Sequence, residues 1–265
     1  NTTNKGYPLV ATVVVTNNKW NTPNCHPVAN PLKLTEVSIN GKNRLTNNRN
    51  LNIKTLLSWD ITQQLYNYRD TYGLPTDGYT VADGWDSPTT KLKGHGSGHY
   101  MSSLAFAFAS CNPNEETAEK TELRKRIKRM VDELRACQER TFVWDSTLNR
   151  YREARDYAPE EVLMKMGGSW ADFDKCKKDY RNYGYGYLNA IPAAHPALIE
   201  KYAPYNNEQG VWAPYYTIHK QLAGLIDIAN NIDDKEIAAK ALLIAKDMGL
   251  WVWNRMHYRT YVKAD

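Results

Sequence analysis

Leu123, Ile127, Met130, Leu134 and Cys137 recur at steps of four, three, four and three, with Lys, Arg, Asp and Glu over most of the remaining positions. A strand alternates with a period of two and cannot collect these side chains on one side, whereas an α-helix gathers them into a single buried stripe. The same period recurs along the chain. Leu51, Ile53, Leu56, Leu57, Ile61, Leu65 and Tyr68 predict one helix ending near Gly73-Leu74-Pro75. Tyr100 to Ser110 is apolar nearly all round (Met101, Leu104, Phe106, Phe108), which predicts a buried helix. Asn112-Pro113 offers a cap and first-turn proline for the helix of the 123–137 stripe. Pro214 opens a fourth helix, with Ile218, Leu222, Leu225, Ile226 and Ala229 on its stripe. Asp233 with Glu236 gives a capping-box-like start to a fifth, through Ile237, Ala241, Ile244, Met248, Trp251 and Val252. The fold class is therefore mainly α. Connections alternately long and short predict stacked helical hairpins, as a solenoid or a closed α/α toroid. No repeat of fixed period is present, which counts against a regular solenoid.

The first 45 residues read differently. Thirteen of the 24 Asn fall in the first 52 residues. The run from Leu9 to Thr16 is rich in β-branched residues, and Leu34, Val37 and Ile39 form a weaker second run beyond Pro23, Pro27 and Pro31. Two N-terminal β-strands joined by a Pro/Asn loop are expected, with a turn at Asn40-Gly41. The organisation is then a β-strand segment over residues 1–45 and a helical domain over 46–265. Within the latter, residues 141–182 lose periodicity and form an irregular excursion, of the kind that often carries function. Tyr183-Gly184-Tyr185-Gly186-Tyr187-Leu188 reads as a short extended segment.

Several classes of function are excluded. No apolar run reaches the roughly 18 residues that span a bilayer. The net charge of +5 lies entirely in the first 60 residues, as seven dispersed basic and two acidic side chains, and not in the concentrated cationic stripe that nucleic acid requires. Cys25, Cys111, Cys137 and Cys176 lack zinc-finger spacing, and Cys137 on its stripe reads as a small buried hydrophobe. The chain starts at Asn1 without a signal-peptide pattern, so either a leader has been removed or this is part of a longer polypeptide. One compositional skew is informative: 8 Trp and 18 Tyr stand against 4 Phe. Aromatic rings with polar handles suit surfaces that stack on sugars or bases more than they suit a plain core, so the skew points to a binding face.

Two motifs concentrate the chemistry. Gly94-His95-Gly96-Ser97-Gly98-His99-Tyr100 is glycine-rich, but no apolar strand precedes it, so a phosphate-cradling loop is a weak reading. His95 and His99, four apart, lack the following Glu of a zincin. Two imidazoles lining a polar pocket at a helix N-terminus is the preferred reading over glycines that merely permit tight packing. In Trp212-Ala213-Pro214-Tyr215-Tyr216-Thr217-Ile218-His219-Lys220, three aromatics gather at a proline-fixed helix start, and His219 lies beside the apolar stripe. Sugar hydrolysis ordinarily needs two carboxyl groups roughly 5–10 Å apart. Asp83, Asp86 and Glu208, near Trp85 and Trp212, are the local candidates, with turn formation as the competing role of Asp83-Gly84.

These motifs, together with Gly84-Trp85-Asp86, Val131-Asp132-Glu133-Leu134-Arg135-Ala136-Cys137-Gln138 and Tyr185-Gly186-Tyr187-Leu188, occur in an order that resembles the β-L-arabinofuranosidases of glycoside hydrolase families 127 and 146. The resemblance covers roughly residues 34–258. It implies an (α/α)6 toroid flanked by β-sandwich modules, and hydrolysis, with retention, of β-linked L-arabinofuranose in plant glycans by a secreted or periplasmic bacterial enzyme. It also implies a zinc ion held by three cysteines and a glutamate, one cysteine being the nucleophile. No Glu with paired Cys occurs here, so those ligands are expected beyond Asp265, in the remainder of the polypeptide, and no catalytic residue is assigned. His95, His99, Trp85, Tyr187, Trp212, Tyr215, Tyr216 and His219 are expected as contacts to an arabinose-containing glycan. Two alternatives stand: a non-catalytic carbohydrate-binding or helical scaffold module, and an (α/α)6 lyase or inverting hydrolase using Asp/Glu pairs.

Overall fold

The computed structural model describes residues 32–39, 41–157, 177–200, 203 and 211–258. The expected strand over residues 9–16 lies outside them, as do Cys25, Cys176 and Glu208. Among the described residues the chain is mainly helical: α1 (Arg44–Ser58), α2 (Ile61–Thr71), α3 (His95–Ala109), α4 (Ala118–Glu139), α5 (Ala194–Glu200), α6 (Pro214–Asn231) and α7 (Lys235–Tyr258). The second expected strand is not one. Leu34–Glu36 forms a 3-10 turn, because the Lys33 N–H donates to the Glu36 carboxylate at 2.9 Å and Lys33 O accepts from Glu36 N at 2.9 Å.

The single helix expected over 51–68 is two. Asp60 accepts from Thr62 N at 2.8 Å and so starts α2. The Arg126 guanidinium closes α1 by donating to the carbonyls of Leu57 (2.8 Å) and Trp59 (2.6 Å). Trp59 stacks on Tyr100 at 5.7 Å. α1 begins at Arg44 because the Asn43 side chain accepts from Leu45 N and Thr46 N. α4 begins later than Asn112-Pro113: Thr117 is its cap, while Asn112 closes a turn with Asn114 N. The cap of α7 is Asp234, which accepts from Glu236 N and Ile237 N, because Asp233 is occupied by Arg124 at 3.0 Å.

The stripe of α4 is fully buried, Cys137 included, and its outer face carries ion pairs four residues apart such as Arg129–Glu133 and Arg135–Glu139. α3 and α4 run antiparallel: Phe108 lies under Lys120 and Arg124, while Tyr100 meets Arg126. α6 and α7, joined by three residues, form a second hairpin. The two hairpins lie side by side in the same sense. Gly98 faces Lys220 and Met101 faces Gly224 between α3 and α6, and Asp132 meets Lys240 and Arg135 meets Asp247 between α4 and α7.

The connection from α4 to α6 holds a two-residue hairpin, β1 (Trp144–Asp145) with antiparallel β2 (Arg150–Tyr151). Further on, the segment expected to be extended at 183–188 turns twice, with positive φ at Gly184 and Gly186. A Cβ on Gly186 would stand 2.2 Å from the Asp247 carbonyl oxygen. Residues 187–197 are buried, and this irregular backbone is satisfied by side chains. Thr71 donates to Ala190 O (2.8 Å), Tyr72 accepts from Asn189 N (3.1 Å), and Asn189 links Thr217 (3.0 Å) and Gln221 (2.9 Å) on α6.

Candidate functional site

The N-terminus of α3 is built around a carboxylate from its own chain. Asp86, at the end of a 3-10 turn over Gly84–Asp86, accepts from Gly94 N at 2.5 Å, and the Gly96 N–H is directed at the same group. Gly94 stands at φ 97°, and a Cβ on Gly96 would meet the Asp86 Oδ2 at 1.9 Å. The glycines thus make room for Asp86, which caps the helix and complements its dipole. The position a phosphate would take is filled, which removes the phosphate-loop reading. Burial pushes the Asp86 carboxyl up, against the Gly94 and Gly96 N–H groups and the imidazoles of His95 and His99, which hold it down.

His95 stands at the centre of the exposed rings. Its ring centroid lies 6.1 Å from Trp85, 6.2 Å from His99 and 6.3 Å from Tyr216. Its Nδ1 is 2.8 Å from the carbonyl of Leu92 and 3.7 Å from the Asp86 carboxylate. A carbonyl can only accept, so Nδ1 carries the proton and Nε2 is left as an acceptor in the neutral ring. Lys220 lies over the Tyr216 ring at 5.1 Å. The His99 imidazole is held below its ordinary range, first by partial burial and then by Lys220, His95 and His219, which places His219 in the same electrostatic neighbourhood. Asp86 and His99 line one cavity of about 530 Å³, with Asp83, Gly96 and Trp59. Trp85 and Trp212 line another of about 270 Å³, with Thr90, Lys91 and Leu92.

The structure thus brings Trp85, His95, His99 and Tyr216 together, with His219 beside them and Trp212 across from Trp85. It does not bring Tyr187 there: that side chain is fully buried between Tyr183 and Trp251, and its hydroxyl donates to Ile191 O at 2.6 Å. Tyr215 is half-buried against the core, so the three aromatics at the start of α6 diverge to three surroundings. Asp83 shapes the turn before Trp85, its carbonyl accepting from Asp86 N at 3.1 Å.

His195 was not singled out by sequence, since Ala193-Ala194-His195-Pro196 bears no periodic or motif signal. It is fully buried, and its Nε2 accepts from Trp212 N at 3.1 Å, which fixes the Trp212 loop to α5. Burial, then Lys91 and Lys93, push its imidazole down to about 3. An unfolded histidine takes up a proton near pH 6.5. Between these values the unfolded chain binds a proton that the fold does not, so stability falls as pH falls below 6.5. The fold is expected to be about 2 kcal/mol less stable at pH 5 than at pH 7 through this group. Denaturant titrations of wild type and His195→Gln at both pH values check this, since the opposing effect of Asp86 is common to both proteins. Equal pH slopes in the two would remove His195 as the cause.

The described cysteines do not suit a thiolate metal centre. Cys137 is enclosed in the core with its thiol pushed well up, and Cys111 is half-buried with its Sγ donating to Ala107 O at 3.4 Å. Among the described residues no group of three or more His, Cys, Asp and Glu side chains is placed to hold a metal ion. No helix there is long and apolar enough to cross a membrane.

In comparisons with known proteins, residues 37–263 match the family model described as the β-L-arabinofuranosidase, GH127 catalytic domain. No curated protein matches the chain.

Proposed function

The chain belongs to the family of the β-L-arabinofuranosidase GH127 catalytic domain and is a glycosidase, and from that premise we propose that the α3–α6 end forms a substrate wall for an L-arabinofuranose unit of a plant-type glycan. The observation that carries this is the ring cluster about His95, with Trp85, His99 and Tyr216 within 6.1–6.3 Å of it on an open surface. Trp85 and Tyr216 present faces for the apolar side of a sugar ring. His95 Nε2 accepts from a sugar hydroxyl, because Leu92 O holds the proton on Nδ1. His99, its imidazole held below its ordinary range by partial burial and then by Lys220, serves as donor or acceptor, and His219 and Lys220 supply donors at the edge. Asp86 acts beneath this surface by positioning the start of α3.

No bond-breaking step is assigned to these side chains. The described cysteines, Cys111 and Cys137, do not suit the zinc that the resemblance implies. Two adjacent helical hairpins in the same sense, α3/α4 and α6/α7, support the reading of this domain as part of an α/α toroid. The class of substrate, a polymer of plant cell surfaces, favours action outside the cytoplasm.

His219→Ala tests the wall. Its side chain is exposed, so folding should be retained while kcat/KM on a β-L-arabinofuranoside falls on the order of 10²-fold. Parallel kinetics and thermal melts decide: an unchanged kcat/KM, or a loss of Tm matching the loss of turnover, would return His219 to a structural role.

A further inference from the structure

We propose that β1, β2 and the C-terminal end of α4 carry a second glycan-binding surface, selective for sugar units that bear a carboxylate. It shares no residue with the wall around His95, and it rests on the reading of the protein as one that acts on glycans.

Trp144 is 56% exposed, yet it is held firmly. It pairs across the hairpin with Tyr151, ring edge to ring face at 5.4 Å. Tyr151 stacks on Tyr185 at 5.4 Å, and Tyr185 on Phe142 at 4.3 Å. Arg135 covers Phe142 at 4.9 Å, and the Tyr185 hydroxyl donates to Asp247 on α7 at 3.1 Å. The hairpin turn is closed by the Asp145 carboxylate, which accepts from Thr147 N and Leu148 N. A chain of four packed rings tied to the helical core therefore ends in an exposed indole whose orientation is set before any ligand arrives. Such an aromatic binds at low entropic cost.

Beside the indole lies a cleft of about 420 Å³, within the range of small-ligand sites, lined by Glu139, Arg140, Val143, Trp144, Tyr180 and Arg181. Its charge is positive in effect. Glu139 shares Arg135 (2.8 Å) with Asp247 (2.7 Å), and Arg140 and Arg181 outnumber it in the lining. Arg140 is fixed over the Tyr180 ring at 4.3 Å and donates to the Tyr180 hydroxyl and to Tyr72 O. Arg181 is exposed, while its backbone carbonyl is held by the Tyr157 hydroxyl at 2.7 Å. An indole face adjoining two guanidinium groups suits a pyranose ring that carries a carboxylate, because Arg recognises that group through paired N–H donors.

The test is calorimetric binding of an oligogalacturonate, and of its methyl ester, to the wild-type protein and to three variants. Trp144→Ala and Arg181→Gln should each weaken binding of the acid at least roughly tenfold. The ester should bind wild type no better than the acid binds Arg181→Gln, and Trp85→Ala should bind the acid as wild type does. Circular dichroism confirms the fold of each variant, and hydrolysis of a small β-L-arabinofuranoside should be unchanged in Trp144→Ala. Loss of that hydrolysis in the wild type would count against the glycosidase reading and not against this surface. No binding of the acid by the wild type would overturn the surface. So would equal affinity of wild type and Trp144→Ala, equal affinity for acid and ester, or a loss confined to Trp85→Ala.

Discussion

Replacing Arg255 with Met is expected to lower the unfolding free energy by about 3–5 kcal/mol. Arg255 on α7 meets Glu200, the last residue of α5, through two bonds of 2.6 Å, with the side chains only 3% and 4% exposed. Its third nitrogen donates to the carbonyls of Ala154 (2.9 Å) and Tyr157 (3.1 Å). One guanidinium therefore joins α7, α5 and the 154–157 turn. Without it, a buried carboxylate loses its counter-charge and two carbonyls lose a donor. Glu200→Gln should cost less, because the amide still accepts a hydrogen bond and Arg255 keeps its two carbonyls. Arg255→Lys should fall between, having the charge but not the fork. The double replacement Arg255→Met with Glu200→Leu should recover only part of the loss, since the Ala154 and Tyr157 carbonyls stay unsatisfied. Denaturant midpoints for the four variants give the ranking, and an Arg255→Met protein within about 1 kcal/mol of wild type would mean that this pair is solvated. Because α5 also carries His195, which holds Trp212, the loss should reach the candidate site.

The elements that sequence revealed are those whose burial is periodic. The 123–137 stripe could be read because one helical face carries its buried side chains, and the starts of α6 and the Gly-His helix because Pro214 and the glycines mark them locally. The break at Trp59-Asp60 could not, since it depends on Arg126, 67 positions away from Trp59 in the chain. α5 escapes sequence reading for a related reason: its seven residues, with Pro196 among them, are too few to show a period. The buried segment around Asn189 is held by side chains of α2 and α6, so its own residues look like an ordinary loop. At the candidate site, Trp85, His95, His99 and Tyr216 were legible because they sit at fixed offsets within motifs. Tyr187 misled, because a tyrosine between glycines resembles a pocket ring whether its hydroxyl faces solvent or, as here, a backbone carbonyl in the core. The purpose of the glycines at 94 and 96 was hidden too, because the group they accommodate, Asp86, belongs to a preceding turn.

Gly98→Ala is expected to cost about 3 kcal/mol and to lower activity with it. A Cβ at Gly98 would stand 2.4 Å from both the carbonyl carbon and the oxygen of Lys220, and 2.8 Å from Gln221 N. From the other helix, a Cβ on Gly224 would stand 2.6 Å from Gly98 O. These are backbone atoms, so no side chain can swing aside. α3 and α6 must separate by about 1 Å to restore ordinary contact, and α3 is hemmed in by Tyr100, Met101 and Leu104, all essentially buried. The separation falls between His95 and His99 on one helix and Tyr216 and His219 on the other, so kcat/KM should drop along with Tm. Gly96→Ala separates two explanations, because its added methyl meets only the end of the Asp86 side chain, which can rotate away. It should disturb the site more than the fold. Gly249→Ala on α7 is the control: nothing lies within 4 Å of its Cβ, and the gain in helix propensity should leave stability unchanged or raise it by up to about 1 kcal/mol. A Gly98→Ala protein that melts with Gly249→Ala would show that α3 and α6 do not meet through their backbones, and the common wall of the candidate site would then lose its physical basis.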